Sequence, residues 1–513
     1  MDAIDDFLKV AKHFQLGHLD TEASHPDTVG LSEWAQHDLP QGIAKLRDVD
    51  AHMLSTLEDR LTALTPLTIA IRETLESGHR LFLCGCGATG RLSLSIEVFC
   101  RADGLIPSEY REQVIAFMAG GDAALIRSIE RFEDHPEYGE RQLIELGFTE
   151  GDLLIASTEG GETPFVIGAT EAASKRSRRS PFFLYCNPDA ELMAGSVDRS
   201  RRVLNNPDIH KINLATGPMA LSGSTRMQAS TILMAAIGYA CQAWGDPKHL
   251  PSLLAPLQQW HHEQDMAFLS GFIECEASIY QNGEFILYEP GPFGITVMTD
   301  TTERSPTFTL VPFETTRQPD DPPSWCYLHV PGTSSPAEAW QAVLHRSPRT
   351  VGWGDLKHLT SQDAIHGFDF SDRVQTHRDV RCGQAQQHRF CICRSQDKDE
   401  LIWELAEQNA TISITDLTPL GQHLALKMLL NMHSTLVMGR LHRYESNLMT
   451  YVSSTNNKLI DRSIRYAQLL LKRRHQLEPS YEALARCLFE QRAQLQPNES
   501  IVLKIVAAFA SQA

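Results

Sequence analysis

The chain has 513 residues, 42% hydrophobic and 21% charged, with a formal charge of −18, and that length exceeds what one core organises, so more than one domain is expected. The acidic balance excludes a nucleic-acid surface, which needs clustered Lys and Arg, but leaves room for a small anion held by a few local donors. Residues up to Leu19 carry Asp, Lys and His through their apolar positions, unlike a signal peptide, and no apolar run reaches the ~18 residues of a membrane span. A cytoplasmic protein with neither membrane nor nucleic-acid partner is expected. The eleven cysteines are scattered, and the Cys84, Cys86 pair has C-x-C spacing with no second pair to answer it. They read as small apolar residues in a reducing compartment, with no metal site and no cofactor.

Residues 1–50 are polar and broken by Pro26, Gly30 and Pro40, reading as an extended or short-helical arm. Apolar residues then recur at helical spacing from Ala51 to Gly78. Arg80–Cys84 (RLFLC) is a short apolar run ending in glycines, the pattern of a buried parallel strand, and a helix pattern follows over Ala88–Ala102. The alternation continues with strand Val114–Met118, helix Ala123–Phe132, strand Leu153–Ala156 and helix Pro164–Ala173, proline sitting well in its first turn. Strands Phe182–Cys186 and Ile209–Leu214 and a long helix Ser224–Ala240 complete the series. Such alternation predicts an α/β domain over 51–245, with a parallel sheet whose ligands bind beyond the strands' carboxyl ends.

The second α/β segment, 246–419, opens with a helical spacer over 246–264 and carries a strand at Phe285–Tyr288 and a loop at Gln318–Ser324. Residues 420–513 read as helical, with a polar break at Ser453–Asn457. Gly87 and Gly90 fall on Gly291 and Gly294 at a constant offset of 204 residues, each pair between an apolar strand and a helix-like stretch. The two segments therefore read as a degenerate internal repeat.

Three loops at strand ends carry candidate ligand groups. In Gly85-Cys-Gly-Ala-Thr-Gly90-Arg91, glycines let backbone N–H groups approach an anion at a helix start, making Gly87, Thr89, Gly90 and Arg91 candidates. A Walker lysine and the acidic partner of a dinucleotide fingerprint are both missing. Ser157-Thr-Glu-Gly-Gly-Glu-Thr163-Pro164 adds Thr158, Gly160, Gly161 and Thr163, beside two carboxylates, Glu159 and Glu162, that do not suit an anion. Gly223-Ser-Thr-Arg226-Met opens the long helix with Ser224, Thr225 and Arg226, an oxyanion-binding set. Each alone is also what a plain N-cap looks like; three at successive strand ends of one sheet make a sugar-phosphate pocket.

At these residues the chain resembles the N-acetylmuramic acid 6-phosphate etherases and their relative, the glucokinase regulatory protein. Gly85–Arg91 is similar to the etherase loop G-A-G-T-S-G-R, and Ala119–Asp122 with Glu133-Asp134 to A-G-G and the following E-D pair. Gly217–Met227 resembles the signature ending in G-S-x-R-M. Leu426-Lys427 through Leu430-Asn431-Met432-x-Ser434-Thr435 resembles K-L-V-L-N-M-x-S-T, and Ser446-Asn447-Leu448-Met449 and Thr455-Asn456-x-Lys458-Leu459 match the N-L-M and T-N-x-K-L that follow. Residues 478–513 resemble the small helical end of the etherases.

The long insertion between Met227 and Leu426 matches the regulatory protein's layout. The resemblance therefore implies two phosphosugar-isomerase-type (SIS), flavodoxin-like parallel-sheet units in one chain, a pseudo-dimer with a C-terminal helical cap. The etherase glutamate of D-A-S-E-C-P-P-T-Y falls on Phe99 in the first unit, but on Glu303 within Asp300-Thr-Thr-Glu303-Arg-Ser-Pro306-Thr307-Phe308 in the second. The second glycine loop has become Glu289-Pro-Gly-Pro-Phe-Gly294, a poor phosphate cradle.

One composite site per chain follows as the expectation. The first unit supplies the phosphate loops and Glu133 as base, the second supplies Glu303 as acid, and Lys427 adds positive charge. Ala88, Gly160 beside Glu159, and Gln228 each remove a donor or charge that the etherases have. The resemblance implies either a lyase that eliminates lactate from C3 of a phosphorylated amino sugar and rehydrates the product, or a non-catalytic sugar-phosphate sensor with a sugar kinase as partner. No histidine or lysine stands out for isomerase chemistry; His210 and His423 read as structural.

Overall fold

A computed structural model describes residues 3–11, 14, 16–129, 132–194, 198–395, 398–454, 457–496 and 499–511. The first sheet holds β1 (Leu81–Gly85), β2 (Val114–Met118), β3 (Leu153–Ser157), β4 (Phe182–Tyr185) and β5 (His210–Asn213), in the order β2-β1-β3-β4-β5. All its pairings are parallel. Every residue of β1, β3 and β4 is buried, which is why their sequences run apolar without alternation. The chain leaves β1 for β2 on one side and returns to β3 on the other, so a crevice opens where the order reverses.

The second sheet holds β6 (Phe285–Glu289), β7 (Cys326–Leu328), β8 (Gln387–Arg394), β9 (Glu400–Leu405) and β10 (Gln408–Ser413), ordered β10-β9-β8-β6-β7. It departs from the all-parallel expectation. Only β6 with β7 and β6 with β8 are parallel, while β8, β9 and β10 form an antiparallel meander. The meander strands alternate in burial, as strands with one solvated face do. β1 and β6 nevertheless lie 204 residues apart, and each leads to a 15-residue helix, Ala88–Ala102 and Gly294–Phe308. Those two helices pack together.

Three other expectations are corrected. Among the described residues of Ala123–Phe132, where a helix was expected, only a short turn, Asp122–Leu125, forms. The segment's backbone is drawn aside there, the Asp122 N–H reaching the Arg349 carbonyl at 3.3 Å. The long helix begins at Gln228 rather than Ser224, leaving Ser224–Met227 as a turn before it. Residues 1–50 are not one arm, because helix Leu39–Arg60 runs across residue 50, with Pro40 opening it.

A strap from the second half of the chain crosses onto the first sheet. Arg346 Nε and Nη1 reach Glu97 and Asp122 at 3.0 and 2.5 Å, and Arg349 Nη2 reaches Glu97 at 2.6 Å. Further along, Val351 and Trp353 bury against the first unit, Trp353 stacking on Phe132 with ring centroids 5.3 Å apart. The C-terminal helices Pro419–Arg440 and Asn457–His475 complete the molecule's centre, the first being buried almost throughout. Among the described residues no helix is long and apolar enough to cross a membrane.

Candidate functional site

β1 passes to its helix through a turn that demands glycine: a side chain at Gly85 would strike the Thr89 backbone at 2.3 Å, and Gly87 has φ +56°. Beyond the carboxyl ends of β1 and β3 lies a cleft of about 600 Å³, at the reversal of strand order where ligands of such sheets bind. Its walls come from four parts of the chain. They are the N-terminal segment (Leu19, Glu22), the loops of the first sheet (Gly87, Arg91, Glu133, Gly160, Thr163, Ser224, Thr225, Arg226), helix Gly294–Phe308 with its exit (Glu303, Leu310), and the C-terminal region (Val452, Lys458, Arg462).

The cleft therefore brings together Glu133, Glu303, Gly87, Arg91, Gly160, Thr163, Ser224, Thr225 and Arg226. The remaining candidates are not part of its lining. The Thr89 hydroxyl caps its own turn, accepting from Cys86 N at 3.0 Å and donating to Cys86 O at 2.9 Å. Gly90 packs against Met118, and Gly161 against Leu192. Thr158 shares a hydrogen bond of 3.0 Å with Thr163. Lys427 donates to the Arg226 carbonyl at 2.6 Å and the Thr231 hydroxyl at 3.0 Å, so it supports the Ser224–Met227 turn from behind. Burial lowers its pKa to about 8 despite the attraction of Glu303.

Arg226 is largely spoken for: its Nη atoms go to Asp300 at 2.9 Å, Ser434 at 3.1 Å and Thr435 at 2.9 Å. The Arg226–Asp300 pair ties the Glu303 helix to the Ser224–Met227 turn, and within that helix Asp300 also takes Arg304 at 2.8 Å. Arg91 is different. It is 2% exposed, its one side-chain hydrogen bond among the described residues is a 3.4 Å contact to Thr302, and its Nη2 has no partner. The Ser224 hydroxyl, also buried, has none either. Unpartnered buried donors lining one cleft mark a place for an acceptor-rich group.

Loss of hydration raises the pKa of Glu303 against the pull of Arg91, Lys427 and Arg226. Half-buried Glu133 is raised likewise, by loss of hydration against the pull of Lys458, with Glu162 and Asp134 adding to the rise. Two carboxyls of lifted pKa facing one cavity can divide acid and base work.

Sequence reasoning did not place Lys458 in the site. Its ammonium lies 2.7 Å from Glu162 and 3.7 Å from Glu133, and its presence in the T-N-x-K-L motif was the available signal. Thr455 and Asn456 of that motif lie outside the described residues. Arg199 joins Lys458 on Glu162, and against the cost of burial the two cations hold that carboxyl at about 2. Glu22 was missed too; it binds Arg462 at 2.6 Å and Arg465 at 3.1 Å, pinning the N-terminal segment over the cleft.

At the corresponding point of the second sheet, side chains bond one another. Glu289, at the end of β6, accepts from His329 at 2.9 Å and from the Cys391 thiol at 3.3 Å, and His329 also meets Asp372 at 3.0 Å. Phe99, at the register position of Glu303, packs on His423 with centroids 4.3 Å apart. His423 itself bonds Thr296 at 2.7 Å, and His210 stacks on Phe182.

Residues 67–174 match the model of the glucokinase regulatory protein N-terminal SIS domain. An N-acetylmuramic acid 6-phosphate etherase of Picosynechococcus sp. is 32% identical over 222 residues, 43% of this chain and 67% of the etherase. One from Lactococcus lactis subsp. lactis is 30% identical over 216 residues, 42% of this chain and 66% of that protein. The chain thus spans about two thirds of the length of the curated relatives it matches. A solved structure of a candidate phosphosugar isomerase from Clostridium difficile 630 aligns over 79% of this chain and 94% of that one, at 11% identity and a TM-score of 0.45.

Proposed function

The chain belongs to the family of the N-acetylmuramic acid 6-phosphate etherases, and from that premise we propose that it is a carbon–oxygen lyase acting on a phosphorylated amino sugar. The observation that carries this reading is the meeting of Glu133 and Glu303, from opposite halves of one chain, in one cleft with Arg91 and Ser224. The phosphate is held by the start of helix Ala88–Ala102 with Arg91, Ser224 and Thr225, where buried donors await acceptors.

Glu133 takes the C2 proton while Lys458 beside it steadies the carboxylate that must begin the step ionised. Glu303, its pKa lifted by burial, protonates the C3 ether oxygen as the C–O bond breaks and lactate departs. Water then adds across the C2–C3 double bond with the roles reversed. A cytoplasmic setting belongs to the same proposal, in keeping with eleven unpaired cysteines.

Incubation with N-acetylmuramic acid 6-phosphate should release D-lactate, and Glu303→Gln should cut the rate by about 10²- to 10⁴-fold. The match of residues 67–174 to a glucokinase regulatory protein domain is the reason to test a second reading, a sugar-phosphate sensor acting on a sugar kinase. Absent lactate, together with a rise in melting temperature on adding the sugar phosphate, would select it.

A further inference from the structure

Glu159 lines the cleft, takes part in no ion pair among the described residues, and has no part in the elimination. It follows β3 in the Thr158–Thr163 loop, and its backbone carbonyl accepts from Cys186 N at 3.0 Å, which fixes the loop against the end of β4. The side chain is buried, and its Oε1 has no partner. The charged and titratable groups that act on it most strongly come from several elements. They are Glu303 on helix Gly294–Phe308, Lys458 on helix Asn457–His475, Glu133 after β2, and the thiols of Cys86 and Cys186. Lys458 is already shared by Glu162 and Glu133.

An ionised carboxylate without a cation of its own is costly in such a place. Burial first, then the like charges of Glu303 and Glu133, keep the proton on Glu159 up to about pH 8. A neutral carboxyl has an O–H to give, and a sugar-phosphate ligand brings the acceptor.

We propose that Glu159 is a specificity-determining hydrogen-bond donor, giving its proton bond to the carbonyl oxygen of an N-acyl group at C2 of the ligand. The cleft then selects the N-acylated phosphorylated amino sugar over the free amine. This rests on the reading of the cleft as a sugar-phosphate site with Glu133 and Glu303 beside C2 and C3. A C2 ammonium is a donor only, so it leaves the Glu159 O–H without an acceptor unless that proton is released to solvent.

The test is calorimetric titration of the full chain with N-acetylglucosamine 6-phosphate, glucosamine 6-phosphate and glucose 6-phosphate, for wild type, Glu159→Gln and Glu159→Ala. At neutral pH the wild type should bind the N-acetylated sugar about tenfold tighter than the free amine. That preference should fade in the wild type as pH passes about 8, where the carboxylate forms and repels the carbonyl. It should persist at that pH in Glu159→Gln, which keeps an N–H donor, and vanish in Glu159→Ala. Tighter binding of the free amine, lost in Glu159→Gln, would overturn the proposal and make Glu159 an ammonium anchor. Identical pH trends in wild type and Glu159→Gln would overturn it as well. Equal binding of all three sugars would sink the specificity role alone, whereas binding of none would sink the sugar-phosphate reading on which it stands.

Discussion

Arg91 and Arg226 show how two arginines of one motif set can differ in what they are free to do. The Nη atoms of Arg226 are taken by Asp300, Ser434 and Thr435, with only Nε left without a partner, so it braces the site. Arg91 has spare N–H groups and no carboxylate at ion-pair distance among the described residues. Removing a charge-assisted bond to a phosphate costs about 1.5–3 kcal/mol. Arg91→Met should therefore raise the dissociation constant for a sugar phosphate by roughly 10- to 100-fold while leaving the melting temperature of the free protein nearly unchanged. Arg226→Met should lower that melting temperature markedly, because Asp300 would lose one of the cations that compensate its burial.

At the scale of elements, the strap of residues 346–353 places one of the two candidate catalytic carboxyls. Trp353 stacks on Phe132, the residue before Glu133, and donates from Nε1 to Glu145 at 2.5 Å. Trp353→Ala should destabilise the fold by about 3–5 kcal/mol. It should also lower the rate of lactate release more than it weakens binding, which steady-state kinetics would read as a fall in kcat.

The strap also marks where sequence reading stops. β2 and helix Ala88–Ala102 were legible to the residue, because buried strands and glycine turns leave local signatures. The loops that line the cleft were legible through their glycines and hydroxyls. Which arginine meets which carboxylate across more than 200 residues was not, since the pairs Arg346 with Glu97 and Arg349 with Glu97 have no local pattern. The meander β8–β10 was hidden for a related reason: Cys, His and Arg in β8 blur the alternation that half-exposed strands otherwise show.

Over the whole molecule, buried carboxylates tie distant segments together. Glu22 holds the N-terminal segment to helix Asn457–His475, Glu97 holds the strap, and Glu162 holds Arg199 and Lys458. Against the opposing effect of burial, their arginine and lysine partners depress each to about 2. Depressed acids stabilise the fold above their unfolded pKa, near 4.5, and lose that contribution as pH falls through the folded value. The urea midpoint should therefore drop steeply between about pH 4.5 and pH 2. Glu97→Gln should be less stable than wild type at neutral pH and lose less on acidification.

Glu133 and Glu303 lie on opposite halves of the chain yet face one cleft. A site shared between two separate subunits falls apart when the subunits are diluted. Here the covalent connection fixes the two halves at a constant effective concentration, so specific activity should stay level down to the lowest enzyme concentration that an assay can follow.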